Sequence, residues 1–111
     1  MQTNPLSPDF AVGPQIDPSA LAAIAAQGFR GIVNNRPDDE EQGQPASVDI
    51  AAEAARLGLA YRYIPVGEGR AIEPATEALR TFLAEADGPV FAFCRTGNRS
   101  AKLWALATQA H

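Results

Sequence analysis

The run Pro89-Val90-Phe91-Ala92-Phe93 is apolar at every position, and this limits the possible folds more than any other stretch. A strand with one wet face alternates apolar and polar residues. A strand without alternation is covered on both faces, as in a parallel sheet. Parallel neighbours need crossover connections, usually helices. The rest of the chain supplies them. Phe10-Ala11-Val12 reads as a first short strand. Asp17 and Pro18 fit an N-cap and first helical position. Leu21, Ile24 and Ala25 recur at helical spacing, and Gly28 falls where a glycine stops a helix. Residues 29–34 predict a second strand, and the polar, broken segment 36–45 predicts a loop. Ser47 is placed to cap a second helix, with Ile50, Ala54 and Leu57 on one side and Gly58 at its end. Residues 60–66 predict a third strand, on which Tyr61 and Tyr63 share a face as cover for the neighbouring helix. Gly67-Glu68-Gly69-Arg70 is a loop, and a third helix begins near Glu73-Pro74 with Ala75, Leu79, Phe82 and Leu83 inward. The final helix carries Leu103, Trp104 and Leu106, with Trp104 in the core.

Strand and helix therefore alternate, which predicts an α/β fold: a small parallel sheet with right-handed crossovers and helices on both faces. At 111 residues the chain is expected to form a single domain over residues 1–111. Hydrophobic residues make up 46% and charged residues 20%, an ordinary globular balance that argues against disorder. No apolar stretch approaches the roughly 18 residues that span a bilayer. The start Met1-Gln2-Thr3-Asn4-Pro5 lacks the pattern of a signal peptide, so a cytoplasmic location is expected. The single cysteine rules out an internal disulfide. The only histidine, His111, closes the sequence, where fraying is expected. With so few ligands no dedicated metal centre and no cofactor are expected. The net charge of −4 opposes broad nucleic-acid binding but leaves room for a local basic pocket.

In parallel sheets ligands bind at the carboxyl ends of the strands. The last strand ends there on Cys94-Arg95-Thr96-Gly97-Asn98-Arg99-Ser100, with a helix beginning in or just after the loop. Backbone N–H groups at a helix start have no intrahelical partner and join the positive end of the helix dipole, which makes an anion site. Gly97 permits the dihedral of a tight cradle, and Arg99 offers a fork for an oxyanion. The same field lowers a thiol from about 8.5 into the range of about 3.5–7.5. Cys94 is thus expected to be a thiolate nucleophile, with Arg99 as oxyanion binder and Ser100 hydrogen-bonding the sulfur. Arg95, Thr96, Gly97 and Asn98 form the anion-binding loop. A buried hydrophobic cysteine is the bland alternative, but it gains nothing from the arginines, glycine and serine that follow.

With these residues in hand, the chain resembles the beta-lactamase-hydrolase-like "phosphatase-like" family, a bacterial group of protein-tyrosine-phosphatase-like fold. The resemblance runs through Pro14-Gln15-Ile16, the stretch from Ile32 to Asp38, Gln44-Pro45, Tyr63-Ile64-Pro65-Val66 and the cysteine loop. It implies Cys94 as nucleophile and Arg99 as oxyanion binder. It also implies a link to sulfide metabolism and a persulfide dioxygenase as a partner. The loop departs from the tyrosine-phosphatase motif twice: Phe93 stands where that motif has His, and four residues rather than five separate Cys94 from Arg99. Four is the gap of many rhodanese-type sulfurtransferases.

These departures favour sulfane-sulfur transfer through a Cys94 persulfide, with Arg95 and Arg99 orienting an anionic donor. The alternative is phosphomonoester hydrolysis through a phosphocysteine. That reaction asks for a general acid, with Glu68, Asp38 and Asp39 as candidates against the reading of solvated loop charges. Arg36 and Arg70 are candidate substrate contacts, with surface ion pairing or solvation as the plain alternative. A third reading is a non-catalytic module that binds an anion or a partner.

Overall fold

A computed structural model of the chain describes residues 3–109. Met1, Gln2 and the fraying expected at His111 lie outside the described residues. Five strands form one sheet in the order β1-β2-β5-β3-β4: β1 Asn4–Ser7, β2 Phe10–Gly13, β3 Gly31–Asn34, β4 Ala60–Tyr63 and β5 Val90–Phe93. The pairs β2–β5, β5–β3 and β3–β4 are parallel. The helices are α1 Leu21–Ala26, α2 Ser47–Arg56, α3 Ile72–Glu85 and α4 Asn98–Ala107. Among the described residues, no helix is long and apolar enough to cross a membrane.

The run that reads as covered on both sides is the central strand β5, and its side chains sort by parity. Val90 and Ala92 join Val12 and Val33 under Leu79 and Phe82 of α3 and Leu103 of α4. Phe91 and Phe93 join Ala11 and Ile32 under Leu21 and Ile24 of α1 and Ile50 and Ala54 of α2. Each fully buried Val, Leu, Ile or Phe among them contributes about 1.5–3 kcal/mol. Trp104 stacks on Phe10 with ring centroids 5.7 Å apart, half-buried against the core rather than inside it. Gly31 of β3 sits in the narrow space between Phe82 of α3 and Val90 of β5. A Cβ there would lie 3.0 Å from the Phe82 ring and 3.2 Å from Val90. Gly31→Ala is therefore expected to cost about 1–3 kcal/mol through overpacking, read as a lower denaturation midpoint at unchanged slope.

The structure departs from the sequence expectation in four places. The sheet is mixed, because β1 pairs antiparallel with β2 through a hairpin. Its residues Asn4-Pro5-Leu6-Ser7 are largely exposed, so backbone pairing rather than side-chain burial holds it. Proline is tolerated there because an edge strand leaves one row of N–H groups unpaired. The first helix opens as a 3₁₀ turn at Pro18–Ala20, and the Asp17 side chain makes no capping bond. The third strand stops at Tyr63, where its partner β3 ends at Asn34; the Ile64 and Val66 N–H groups still reach the Asn34 and Asn35 carbonyls, each at 2.9 Å. Finally, Ser47 is the first residue of α2 rather than its cap. The Asp38 carboxylate accepts the Ser47 N–H at 2.9 Å instead, capping the helix from the preceding loop.

Candidate active site

β5 delivers Cys94 to the carboxyl edge of the sheet, and the four residues from Cys94 to Gly97 turn directly into α4. Gly97 is the N-cap of α4 with φ of 100°, a left-handed conformation that a side chain would strain. A Cβ there would also press on the backbone of Gly13 at 3.4 Å. The Gln15 N–H donates to the Arg95 carbonyl at 3.3 Å, seating the loop on the segment after β2.

Cys94 is fully buried, and its Sγ accepts the Gly97 N–H at 3.0 Å. Burial pushes the thiol up, but the backbone N–H groups of Ser100, Thr96 and Gly97 outweigh it, and the pKa lies below its ordinary value. Ser100 Oγ adds the weakest of these pulls. That hydroxyl is buried with no hydrogen bond of ordinary geometry, so a thiolate is the acceptor open to it.

Arg99, on the first turn of α4, is gripped from the opposite side. Its Nη1 and Nη2 donate to the two oxygens of Glu40 at 2.7 and 2.8 Å, and Nη1 also donates to the Val66 carbonyl at 2.8 Å. Glu40 in turn accepts from Arg36 Nε at 3.0 Å. The hydrogen bond from Arg99 is the largest influence on Glu40, and with that from Arg36 it overcomes burial and holds the carboxyl at about 2. On Arg99, after Glu40 and burial, the charge of Cys94 also acts. Sulfur, guanidinium and carboxylate thus form one electrostatic unit.

Glu40 has a folded pKa depressed from the ordinary 4.5, so its contribution to stability is complete above pH 4.5 and is lost as pH falls towards about 2. Acid unfolding of the wild type is expected to respond in that window. The Glu40→Gln variant should show a flatter stability profile there, read by denaturant midpoints across the pH series.

The other sequence candidates scatter. Arg36 is 3% exposed, and besides Glu40 it donates to Gln15 Oε1 at 3.2 Å and Glu41 Oε1 at 3.1 Å, so its guanidinium braces the loop. Asp38 is committed to capping α2, and its own N–H donates to the Tyr63 hydroxyl at 2.9 Å. The Tyr61 hydroxyl meets Ser47 Oγ at 2.5 Å and accepts from Asn34 Nδ2 at 3.1 Å. Both tyrosines therefore anchor the β3–α2 loop, and Tyr61 also packs against the core under α1 and α2. Asp39 is exposed with φ of 64°. Glu68 is exposed beside Gly67, where a Cβ would lie 3.5 Å from Arg99 Nη1, so it stands at the rim of the site. Arg70 is exposed and shares a cavity wall with Arg99. Arg95, Thr96 and Asn98 point to solvent, and Thr96 Oγ1 accepts the Asn98 N–H at 3.3 Å.

Sequence reasoning gave Glu40 no part in the site and overlooked Lys102. The arginine-to-acid spacing of Arg36 and Glu40 was the available signal for the first. The second lies one turn after Arg99 on α4.

The comparisons with known proteins bear on the family and the fold. The model of the phosphatase-like domain of beta-lactamase hydrolase-like proteins matches residues 3–111. A beta-lactamase hydrolase-like protein of Agrobacterium fabrum is 42% identical over 84 residues, covering 76% of this chain but 20% of that protein. The chain thus spans about a fifth of the curated relatives it matches (20–23%). A crystal structure from Neisseria meningitidis, of a protein provisionally described as a phosphatase, is 31% identical with a TM-score of 0.81, covering 92% of this chain and 72% of that one. The fold is also that of a mutant form of Tk-PTP, at a TM-score of 0.73 and 18% identity over 96% of this chain and 72% of that one. These names speak of phosphatases, so the sulfur-transfer expectation gains no support from them and the phosphatase alternative fits better. With its cysteine loop at the carboxyl edge of a protein-tyrosine-phosphatase-like fold, the chain belongs to the family of the phosphatase-like domain of beta-lactamase hydrolase-like proteins.

Proposed function

We propose that this domain hydrolyses phosphomonoesters through a phosphocysteine at Cys94. The observation that carries the reading is the Cys94 sulfur, held by the Gly97 N–H at 3.0 Å at the start of α4 with its pKa lowered. The thiolate attacks phosphorus; a P–S bond forms and the P–O bond to the alcohol breaks. Loop N–H groups and Arg99 hold the oxygens on which charge concentrates. Water then attacks phosphorus and gives its proton to the carboxylate that protonated the alcohol, the P–S bond breaks, and phosphate leaves with the thiolate restored. Cys94 is fully buried, so side chains over it must shift for phosphorus to reach Sγ.

The alcohol needs a proton as it leaves. Glu40, ionised down to about pH 2, has none to give at neutral pH. Asp38 is engaged by Ser47. Glu68 is the carboxyl at the rim with no hydrogen bond or ion pair among the described residues, and it is our choice for the general acid.

The test is a paired assay of wild type and Cys94→Ser with phenyl phosphate in one arm and thiosulfate in the other. Phosphate release that depends on Cys94 is the expected result. Sulfur transfer without phosphate release, with a one-sulfur mass adduct on the wild type alone, would replace this reading by persulfide chemistry. Binding of phosphate with no turnover in either arm would point to a non-catalytic module.

A further inference from the structure

Arg99 borders a cavity of about 300 Å³ that Glu40 does not enter. Its floor is apolar, made by Val66, Ile72, Leu103 and Leu106, and its rim carries Arg70 and Lys102. Among the described residues no carboxylate lines it. The side chains of Arg70 and Lys102 make no hydrogen bond or ion pair among the described residues, whereas Arg36 and Arg99 are both matched by Glu40. Lys102 stands three residues after Arg99, on the same side of α4. Arg70 comes from the loop between β4 and α3. In a chain of net charge −4, two cations without a partner among the described residues thus line one apolar hollow together with Arg99 of the cysteine loop. The volume is at the small end of ligand pockets, enough for a single ring-sized group.

We infer that this cavity is the leaving-group subsite, and that it selects phosphomonoesters whose alcohol joins a ring-sized apolar body to a second anionic group. The inference rests on the phosphatase reading. The body lies on Val66, Ile72, Leu103 and Leu106, removing apolar surface from water, while Arg70 and Lys102 meet the second anion. Partly exposed pairs are individually weak, so two acting together are expected to give a preference on the order of tenfold.

The experiment measures binding of 4-carboxyphenyl phosphate and phenyl phosphate to the full chain carrying Cys94→Ser, by titration calorimetry. The carboxylated ester is expected to bind roughly tenfold more tightly. The difference is expected to vanish when Arg70→Ala and Lys102→Ala are added, with circular dichroism confirming the fold. Equal affinities before those substitutions, an undiminished difference after them, or no binding of either ester would each overturn the inference. The wild type is assayed for phosphate release in parallel. Turnover without discrimination removes the subsite and leaves the phosphatase reading. Discrimination in binding without any turnover removes the phosphatase reading and leaves the anion subsite.

Discussion

Cys94→Ser is expected to lower kcat/KM for an aryl phosphate by at least roughly a thousandfold, the scale of losing an activated nucleophile. The substitution keeps the size of the side chain but not its chemistry. The N–H groups of Ser100, Thr96 and Gly97 bring a thiol below its ordinary pKa against the cost of burial. A hydroxyl starts far too high for the same field to ionise it. Binding of phosphate should survive, because the loop N–H groups and Arg99 remain. The wild type should carry a signature of the same cause. The reactive form is deprotonated, so activity is lost as pH falls through the lowered Cys94 pKa, at a pH below the ordinary thiol value. Because the chain has one cysteine, no other thiol contributes to thiolate absorbance in the ultraviolet, and Cys94→Ser supplies the tyrosine background. A titration at or above the ordinary thiol value, or a Cys94→Ser enzyme with near-normal turnover, would sink the nucleophile assignment.

The second large effect is expected from Glu40→Gln, a fall in kcat/KM of about 10–100-fold, the scale found when a group that orients a binding side chain is removed. Glu40 holds both terminal nitrogens of Arg99 at 2.7 and 2.8 Å and is itself held by Arg36. The amide keeps the shape, but its one oxygen accepts weaker, uncharged hydrogen bonds and its NH2 sets a donor against a guanidinium donor. Arg99 then loses its fixed posture, and with it the preorganisation that stabilises a developing charge. A second readout separates this positioning role from simple loosening. Removing a negative charge beside Arg99 strengthens the positive field at Cys94, so the acid limb of kcat/KM should move to lower pH. A variant with less activity and an unmoved limb would mean that Glu40 acts on the fold and not on the site. A variant with more activity would mean that Glu40 restrains Arg99 instead of preparing it.

Much of the molecule was legible because it depends on local rules. The parity of Val90-Phe91-Ala92-Phe93 places alternate residues in the two cores on either side of the sheet. Gly28 and Gly58, with φ of 104° and 75°, stop α1 and α2 where a left-handed residue is needed. By contrast β1 was hidden, since Asn4-Pro5-Leu6-Ser7 has no buried face to leave a hydrophobic pattern. Asp38 looked like a loop charge open to catalysis, and nothing in its neighbours told that it caps α2 nine residues on.

The sequence by itself determined the α/β alternation, the place of Cys94 at a strand end, and the helix start that makes its surroundings attract anions. Each follows from residues adjacent in the chain. Only the tertiary structure decided which charges face which. Glu40 and Arg99 are 59 residues apart in sequence and meet as a fork, while Arg36 turns inward and Arg70 and Lys102 stay unmatched at a cavity. Coulomb energy depends on distance through space, and that distance exists only once the β3–α2 loop has folded across the carboxyl edge of the sheet.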